Sequence, residues 1–249
     1  MTTASTSTLE ERLASWPDRA AGHRLILFDI DRTLLDTRGG NKRAMLRAGV
    51  SVYGDRFSLE GVDRSGRLDA HILKDAASRM GETVRPEHLD GFRRQYASEL
   101  THELEGQQEM PGAVAWVRRL EQIDQVRLGL VTGNFESAAA VKIPAIGLDF
   151  NAFTANGFGD RGERRADLVV RARSACPEVI LHHTLIIGDT PRDIACAREN
   201  GCPCLCVATG DFSADQLYEA GAPFVVDSLV EPEATAFLAD FLGNEGAIQ

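Results

Sequence analysis

Short apolar runs that alternate with helical segments predict an α/β protein with a Rossmann-like, doubly wound parallel sheet and a small α-helical cap. The runs are continuous rather than alternating, which is typical of strands that are covered on both faces. Helical patterns separate the later runs, and a long charged segment in the first half of the chain contains no comparable run. These observations favour a parallel sheet between helices, with a helical insertion after its first strand.

Apolar runs bounded by turn residues are the predicted strands. They are Leu25–Phe28, Leu128–Val131, Leu185–Ile187, Cys204–Ala208 and Phe224–Val226. The predicted helices are Pro111–Gln122, Phe135–Ile146, Arg165–Cys176, Pro191–Asn200 and Ala214–Ala220. Some helix boundaries carry local signals: Pro191 stands at a first helical position, and Ser213 forms a capping box with Gln216.

The segment 41–109 contains charged helical patterns and no run that is similar to the predicted strands. An apolar stripe at helical spacing is formed by Leu89, Phe92, Tyr96, Leu100 and Leu104. We therefore predict a helical cap over residues 41–109, inserted in a core of residues 23–40 and 110–249. Residues 1–22 are predicted to be a flexible N-terminal segment, because they begin with a tract rich in Ser and Thr.

The composition disfavours two classes of partner. Among 249 residues, 27 basic side chains stand against 37 acidic ones, so the formal net charge is −10. This balance argues against nucleic acid and anionic membranes as partners, and it requires local cations wherever a small anionic substrate binds. No apolar run approaches the length of a membrane-spanning helix.

The N-terminus and the cysteines favour a cytoplasmic protein. Residues 1–8 lack the basic start and apolar core of a secretory signal, and the five cysteines are an odd number. Cys202, Cys204 and Cys206 alternate along a predicted strand, which indicates small buried side chains. A metal site in this Cys-x-Cys-x-Cys pattern is the alternative, which the lack of a histidine cluster nearby disfavours.

Polar residues follow three of the predicted strands. They are Asp29 and Asp31 after the first, Thr132-Gly133-Asn134 after the second, and Asp189 with Asp193 after the third. The carboxyl ends of parallel strands form a ligand crevice, so we expect these groups to lie together. Carboxylates suit a hard cation, whereas a hydroxyl and backbone amides suit phosphate oxygens. Each group alone is also an ordinary turn or helix cap, but their occurrence at three strand ends favours a functional site.

With these motifs the chain resembles the haloacid dehalogenase superfamily, and in particular its members that are similar to phosphoglycolate phosphatase. The motifs of that superfamily are Asp-x-Asp-x-Thr, a Thr or Ser at a strand end, a Lys or Arg, and Gly-Asp-x-x-x-Asp. Here the first motif begins at Asp29, the second is Thr132, and the last begins at Gly188. The resemblance extends from about residue 23 to residue 242.

The resemblance implies a phosphatase that uses Mg²⁺ and an aspartyl-phosphate intermediate. Asp29 would be the nucleophile, and Asp31 would be the general acid and base. The metal ligands would be Asp29, the main-chain carbonyl of Asp31, Asp189 and, in a supporting position, Asp193. The residues that would hold the phosphoryl oxygens are Thr132, Gly133 and Asn134.

The cation of the third motif has two candidates. Relatives often carry Lys-Pro before the helix that leads to the last motif, whereas this chain has Glu163-Arg164-Arg165 there. Lys142 lies in an apolar helical segment soon after Thr132, where its charge must reach water or an anion. We therefore expect Lys142 to be the catalytic cation, with Arg165 as the alternative and as a substrate-binding residue.

Two further arginines bear on turn geometry and on the substrate. Arg32 stands where glycine is usual in the superfamily, and it fits a turn with helical dihedral angles better than one with positive φ. Arg67 lies in Gly66-Arg67-Leu68-Asp69, which resembles a Gly-Arg-Thr-Asp loop of phosphoglycolate-phosphatase-like members. We expect Arg67 to bind a substrate carboxylate; a solvated helix entrance is the alternative.

The implied substrate is a small phosphorylated metabolite, either similar to phosphoglycolate or a sugar phosphate. Asp31 argues against the haloalkanoate dehalogenases, because an alkyl halide needs no proton on its leaving group. Two alternatives stay open: a phosphomutase of the same superfamily, and a catalytically silent domain that binds phosphate or a partner.

Overall fold

The centre of the computed structural model, which describes residues 7–160 and 162–243, is a parallel sheet. The strands are β1 (Arg19–Phe28), β2 (Leu35–Asp36), β3 (Gln108–Glu109), β4 (Asp124–Thr132), β5 (Gly157–Phe158), β6 (Thr184–Gly188), β7 (Cys204–Val207) and β8 (Val225–Val226). Within the described residues, the sheet has six strands in the order β5-β4-β1-β6-β7-β8, and all neighbours are parallel. The predicted α/β fold with a parallel sheet is confirmed.

Helices cover the sheet and fill the insertion after β1. They are α1 (Leu9–Ala14), α2 (Gly40–Tyr53), α3 (Asp69–Arg79), α4 (Pro86–Glu103), α5 (Ala113–Leu120), α6 (Glu136–Ala145), α7 (Arg165–Arg173), α8 (Pro191–Glu199), α9 (Ala214–Glu219) and α10 (Pro232–Gly243). Every predicted strand and helix overlaps an observed one. Of the helices in the described part of the chain, none combines the length and apolar character needed to cross a bilayer.

The continuous apolar pattern of β1 follows from burial on both faces. Ile26 and Phe28 belong to one apolar cluster, whereas Leu25 and Leu27 belong to a second cluster on the opposite face. All four side chains are fully buried. Successive side chains of a strand point to opposite faces, so a strand with helices on both sides has no position for a polar residue until it ends.

The insertion after β1, residues 41–109, shares its apolar core with the sheet. Phe92 and Tyr96 of the predicted stripe are fully buried, and their rings lie 6.3 and 6.5 Å from the ring of Phe135 at the start of α6. The antiparallel pair β2-β3 joins the two ends of the insertion, with Leu35 opposite Glu109. The division into a core and a cap stays a prediction.

The N-terminal segment differs from the flexible segment 1–22 that the sequence analysis predicts. Residues 1–6 lie outside the described residues, but α1 follows a capping box of Thr8 with Glu11, and β1 already begins at residue 19. Trp16 is 3% exposed, and its ring centroid lies 5.0 Å from that of Trp116 in an edge-to-face arrangement. Its Nε1 donates to the Thr235 carbonyl at 3.0 Å. The prediction was wrong for residues 9–22, because buried Trp16 fixes this segment on α5 and α10.

Replacing Trp16 by alanine should therefore destabilise the whole protein. Truncating a buried tryptophan removes its apolar contacts and leaves a cavity, so we expect the free energy of unfolding to fall by about 3 to 5 kcal/mol. Urea unfolding of Trp16→Ala measures this, with the exposed Glu10→Ala as the matched control in the same segment. A loss below about 1 kcal/mol would show that the segment does not contribute to the core.

Candidate active site

The register of the sheet brings the polar strand ends to one edge. Phe28, the last residue of β1, pairs with Leu130 of β4 and with Ile187 of β6. Asp29 follows directly, and its backbone N–H donates to the Ile187 carbonyl at 2.9 Å. The residues after these three strands therefore leave the sheet side by side.

These strand ends border a cavity of about 420 Å³ between the sheet edge and the insertion. The predicted site residues that line it are Asp29, Asp31, Arg67, Thr132, Gly133, Asn134, Arg165 and Asp189. Lys142 and Asp193 do not line the cavity but lie behind its wall, where both are fully buried. The structure thus brings every predicted site residue to this cavity or directly behind it.

Three buried carboxylates form the deepest part of the site. Asp29, Asp189 and Asp193 each place an oxygen within 4.8 Å of the others, and none is more than 4% exposed. Burial, with the charge of Asp193 and Asp31 nearby, raises the pKa of Asp29 to about 6. Burial and the neighbouring carboxylates raise the pKa of Asp189 well above its ordinary value.

Two glycines provide the space that this cluster needs. A Cβ at Gly210 would lie 1.8 Å from Oδ2 of Asp189, and one at Gly188 would lie 2.3 Å from the carboxylate carbon of Asp193. Any side chain at either position would displace a carboxylate. Asp193 is also fixed by its own helix, because its Oδ2 accepts hydrogen bonds from the backbone and the hydroxyl of Thr190 at 3.1 and 2.7 Å.

Arg165, which begins α7, is the cation of this cluster. Its Nη2 lies 3.0 Å from Oδ1 of Asp29 and 2.5 Å from Oδ1 of Asp193. The same nitrogen donates to the Val131 carbonyl at 3.2 Å, and Nη1 donates to the Gly66 carbonyl of the insertion at 3.0 Å. Although burial opposes its charge, the two carboxylates raise the pKa of Arg165 above its ordinary value.

The donor set of the cluster fits a hard divalent cation. When all three carboxylates are ionised they carry three negative charges, of which the single guanidinium of Arg165 offsets one. Carboxylate oxygens are the ligands that Mg²⁺ prefers, and it commonly takes one or two of them together with water and substrate phosphate. An ion bound among these oxygens would offset the remaining charge.

Asp31 has a different set of partners. Nζ of Lys142 lies 2.8 and 2.7 Å from its two carboxylate oxygens and donates to Oδ1 of Asn134 at 2.9 Å. Nδ2 of Asn134 donates to Oδ2 of Asp31 at 3.0 Å. The two candidate cations are therefore divided between the two acids of the first motif: Lys142 holds Asp31, and Arg165 holds Asp29.

The segment after β4 faces both the cavity and the insertion. Thr132 is 1% exposed, and its hydroxyl accepts from the backbone N–H of Asn134 at 3.3 Å. A Cβ at Gly133 would lie 2.0 Å from the carbonyl oxygen of Arg67, so glycine is required where the insertion approaches this turn. The carbonyl of Gly133 accepts from the N–H of Asp69 at 2.8 Å.

The two other predicted arginines also line the cavity. Nη1 of Arg67 forms an ion pair with Asp75 at 2.5 Å, so a neighbour already offsets the charge that was expected to bind a carboxylate. Arg32 has φ of 66°, in the left-handed region that costs a residue other than glycine about 1 to 2 kcal/mol. Its ion pair with Asp36 at 2.5 Å and a hydrogen bond from Thr209 to its carbonyl fix this strained turn.

Sequence reasoning missed two residues of the insertion that touch the site. Asp69 is 1% exposed, and its carboxylate accepts from the N–H of Phe135 at 3.0 Å, at the start of α6. Asn41 donates from Nδ2 to Oδ2 of Asp31 at 3.3 Å and accepts from the hydroxyl of buried Tyr96. Asp69 enters the sequence analysis only as the last residue of the Gly66-Arg67-Leu68-Asp69 loop, and Asn41 only as the first residue of the predicted insertion, so neither carried a signal for the site.

A group of polar contacts holds the loop 63–69 of the insertion against the core. Arg192 of α8 forms an ion pair with Asp63 at 2.7 Å and also donates to the Ser65 carbonyl. The hydroxyl of Ser65 donates to Asp211 at 2.7 Å. Together with the contacts of Arg165 and Asp69, these bonds hold the insertion against the ends of the strands.

Comparison with known proteins gives a family and a fold. The sequence model of the haloacid dehalogenase-like hydrolases matches residues 23–201, which is more than half of the chain. No curated protein sequence matches this chain significantly.

Several solved structures share the fold over most of their length. A hydrolase from Pseudomonas syringae has a TM-score of 0.68 at 20% identity, covering 89% of this chain and 100% of that one. A predicted phosphatase from Clostridium acetobutylicum has a TM-score of 0.67 at 19% identity, covering 88% and 100%. A protein provisionally named β-phosphoglucomutase from Bacteroides vulgatus has a TM-score of 0.64 at 16% identity, covering 95% and 98%. At these identities the likeness shows the fold alone.

The raised pKa of Asp69 predicts how the stability of the protein depends on pH. Burial is the main cause that raises its pKa from 3.8 to about 7, so the folded protein binds this proton more tightly than the unfolded chain. The stability that protonation gives is present at low pH and is lost as the pH rises from about 4 to about 7. Asp69→Asn removes this titration, and its amide oxygen can still accept from Phe135.

The quantity compared is the free energy of unfolding of Asp69→Asn minus that of the unchanged protein. We expect this difference to increase by roughly 2 to 4 kcal/mol from pH 4 to pH 8. Urea unfolding at intervals of pH measures this difference without Mg²⁺. Asp75→Asn, on the same helix but half-exposed, is the matched control. A difference that does not vary with pH would contradict the assignment.

Proposed function

Since this chain belongs to the haloacid dehalogenase-like hydrolase family, we propose that it is a Mg²⁺-dependent phosphatase. Its substrate would be a small phosphomonoester, and Asp29 would accept the phosphoryl group. One observation carries the proposal: the buried cluster of Asp29, Asp189 and Asp193 around Arg165, with Asp31 beside it on a separate cation.

The position of Asp29 suits a nucleophile. Asp29 lines the cavity although its side chain is almost fully buried. Arg165 contacts its Oδ1, so a substrate phosphorus can approach the other carboxylate oxygen. In the first step a bond forms between an Asp29 oxygen and phosphorus, and the bond between phosphorus and the ester oxygen breaks. A covalent intermediate of this kind divides one difficult displacement into two easier ones.

Mg²⁺ would be held by the carboxylates of Asp29 and Asp189 and by the main-chain carbonyl of Asp31, with Asp193 in support. When bound, the ion would neutralise charge on the phosphoryl oxygens and on the carboxylates around them. Arg165 contacts Asp29 and Asp193 and would keep both oriented. The hydroxyl of Thr132 and the amides of Gly133 and Asn134 would hold phosphoryl oxygens.

Asp31 would move the protons of the reaction. In the first step its carboxyl group gives a proton to the leaving ester oxygen. In the second step it takes a proton from the water that attacks the aspartyl-phosphate, the bond between phosphorus and the Asp29 oxygen breaks, and inorganic phosphate leaves. Lys142 contacts both oxygens of Asp31, while Asn134 and Asn41 donate to the same carboxylate. These partners fix the orientation of the acid relative to Asp29.

The insertion, residues 41–109, would serve as a cap. It contributes Asn41, Arg67 and Asp69 to the site, and its Gly66 carbonyl accepts from Arg165. A cap that closes over the strand ends excludes bulk water while the phosphoryl group is transferred.

The proposal is tested by release of inorganic phosphate from a panel of phosphomonoesters. We expect turnover with Mg²⁺, none with EDTA, and a loss of more than roughly 10³-fold in Asp29→Asn, because that variant lacks the attacking carboxylate. Asp55→Asn, an exposed aspartate away from the cavity, is the matched control and should retain full activity. Phosphate release that is absent across the panel, or equal in Asp29→Asn, would reject the proposal.

The two buried cations should differ in their dependence on the leaving group. Lys142→Met disturbs the acid that protonates the leaving oxygen, so kcat/KM should fall about 10²-fold for alkyl phosphates. It should fall much less for p-nitrophenyl phosphate, whose leaving group needs no proton. Arg165→Met disturbs the nucleophile and should lower kcat/KM for both substrates by a similar factor.

Lys74→Met, which removes one exposed charge outside the cavity, is the control for these two variants. Equal losses for both esters in Lys142→Met would contradict the assignment of Lys142 to Asp31. A loss confined to alkyl phosphates in Arg165→Met would contradict the assignment of Arg165 to Asp29.

A further inference from the structure

Two asparagine side chains hold Asp31, the proposed acid, in the same way. Nδ2 of Asn134 donates to Oδ2 of Asp31 at 3.0 Å, and Nδ2 of Asn41 donates to the same oxygen at 3.3 Å. Oδ1 of Asn134 accepts in turn from Nζ of Lys142 at 2.9 Å. Oδ1 of Asn41 accepts from the hydroxyl of Tyr96. The first pair follows β4, whereas the second pair belongs to the insertion.

The hydroxyl of Tyr96 decides which way the amide of Asn41 faces. An amide carries its acceptor and its donor on one planar group, so a donor at Oδ1 turns Nδ2 toward the opposite side. Tyr96 is fully buried. Burial, with the charges of Asp69 and Asp31 nearby, raises the pKa of Tyr96 well above its ordinary value, so the hydroxyl keeps its proton and stays a donor.

Close packing fixes the positions of both residues. The ring of Tyr96 in α4 meets that of Phe135 edge to face, with the centroids 6.5 Å apart. The first turn of α2, which carries Asn41, lies directly on α4, because a Cβ at Gly40 would be 2.3 Å from the carbonyl oxygen of Glu103. Neither end of the hydrogen bond between Tyr96 and Asn41 can therefore shift far without displacing a packed helix.

The need to satisfy a buried hydroxyl does not by itself require this arrangement. A backbone carbonyl would serve as well, and it is the commoner partner of polar side chains. The partner of Tyr96 is instead an amide that lines the cavity and whose other end contacts the proposed acid. Tyr53, a second tyrosine of the insertion, gives the contrast: within the described residues its buried hydroxyl has no hydrogen-bond partner.

The donors on Asp31 are divided unevenly between its two oxygens. Oδ2 accepts from both asparagines and from Nζ of Lys142, which lies 2.7 Å away. Among the described residues, the only side-chain donor to Oδ1 is Nζ of Lys142, at 2.8 Å. A proton on Oδ2 would face three N–H donors, so protonation is more costly at Oδ2 than at Oδ1.

Resting on the proposed function, we propose that Tyr96 is a positioning residue for the proton transfer by Asp31 and that it acts through Asn41. The two hydrogen bonds hold Oδ2, so the proton is carried by Oδ1. When the bond between phosphorus and the ester oxygen breaks, its electron pair stays on that oxygen and takes this proton, and Asp31 is left as a carboxylate. Without either partner the proton is divided between the two oxygens of Asp31, and its transfer is less effective.

The dependence of kcat/KM on the leaving group separates this role from a structural one. The substrates are phenyl phosphates whose phenols range in acidity from p-nitrophenol to phenol, together with an alkyl phosphate, all in excess Mg²⁺. Because kcat/KM covers the steps up to departure of the alcohol, the later attack of water does not enter the comparison. The proteins are the unchanged chain, Tyr96→Phe, Asn41→Ala, the double variant, and Tyr53→Phe as the matched control.

We expect Tyr96→Phe to lower kcat/KM about 5-fold for the alkyl phosphate and less than about 2-fold for p-nitrophenyl phosphate, since only the former needs the proton. Asn41→Ala should lower the value for the alkyl phosphate about 10-fold, because it removes a donor to the carboxylate itself. The double variant should lose no more than Asn41→Ala, because Tyr96 acts through Asn41. Tyr53→Phe should match the unchanged protein, and each variant should keep one cooperative unfolding transition in urea.

The assignment and the phosphatase proposal fail in different ways. Equal losses for all esters in Tyr96→Phe, or no loss, would overturn the assignment and leave the phosphatase proposal in place. A further loss when Tyr96→Phe is added to Asn41→Ala would do the same. If the unchanged protein releases phosphate from none of the esters, the phosphatase proposal is rejected, and the assignment that rests on it is rejected with it.

Discussion

The mutual repulsion of three buried carboxylates is the constraint on which the rest of the site depends. Asp29, Asp189 and Asp193 each place an oxygen within 4.8 Å of the others with almost no solvent contact, and burial with the neighbouring carboxylates raises the pKa values of Asp29 and Asp189. The sheet brings them together through its register, and the glycines at 188 and 210 leave the room they occupy. Arg165 offsets part of the negative charge, and the remaining negative charge favours the binding of a cation.

This arrangement also connects the insertion with the proposed chemistry. The guanidinium of Arg165 contacts Asp29 and also donates to the Gly66 carbonyl. Arg165 therefore links the loop over the site to the proposed nucleophile. Asp69 reaches from the same loop to the start of α6, the helix that carries Lys142. Through these contacts the position of the insertion depends on the residues that contact both acids of the first motif.

Sequence reasoning found the strand ends because their signal is local. A fully buried strand is a continuous apolar run, and the first polar residue after it, such as Asp29 or Asp189, marks the edge of a parallel sheet. Contacts between distant segments have no such signal: Arg165 and Gly66 are 99 residues apart, and only the fold brings them together. Helix α1 was missed because the Ser/Thr-rich start hid a capping box, and strand β5 is too short to show a period.

The central claim is that Asp29 takes the phosphoryl group, and intact-protein mass analysis after acid quenching tests it most directly. With substrate and Mg²⁺ in a single turnover, the account predicts a transient phosphorylated protein whose label maps to the peptide of Asp29. In Asp31→Asn, which lacks the base for the second step, this species should accumulate from p-nitrophenyl phosphate, whose leaving group needs no proton in the first step. Release of phosphate with no phosphorylated protein at any time, or a label on another residue, would contradict the account.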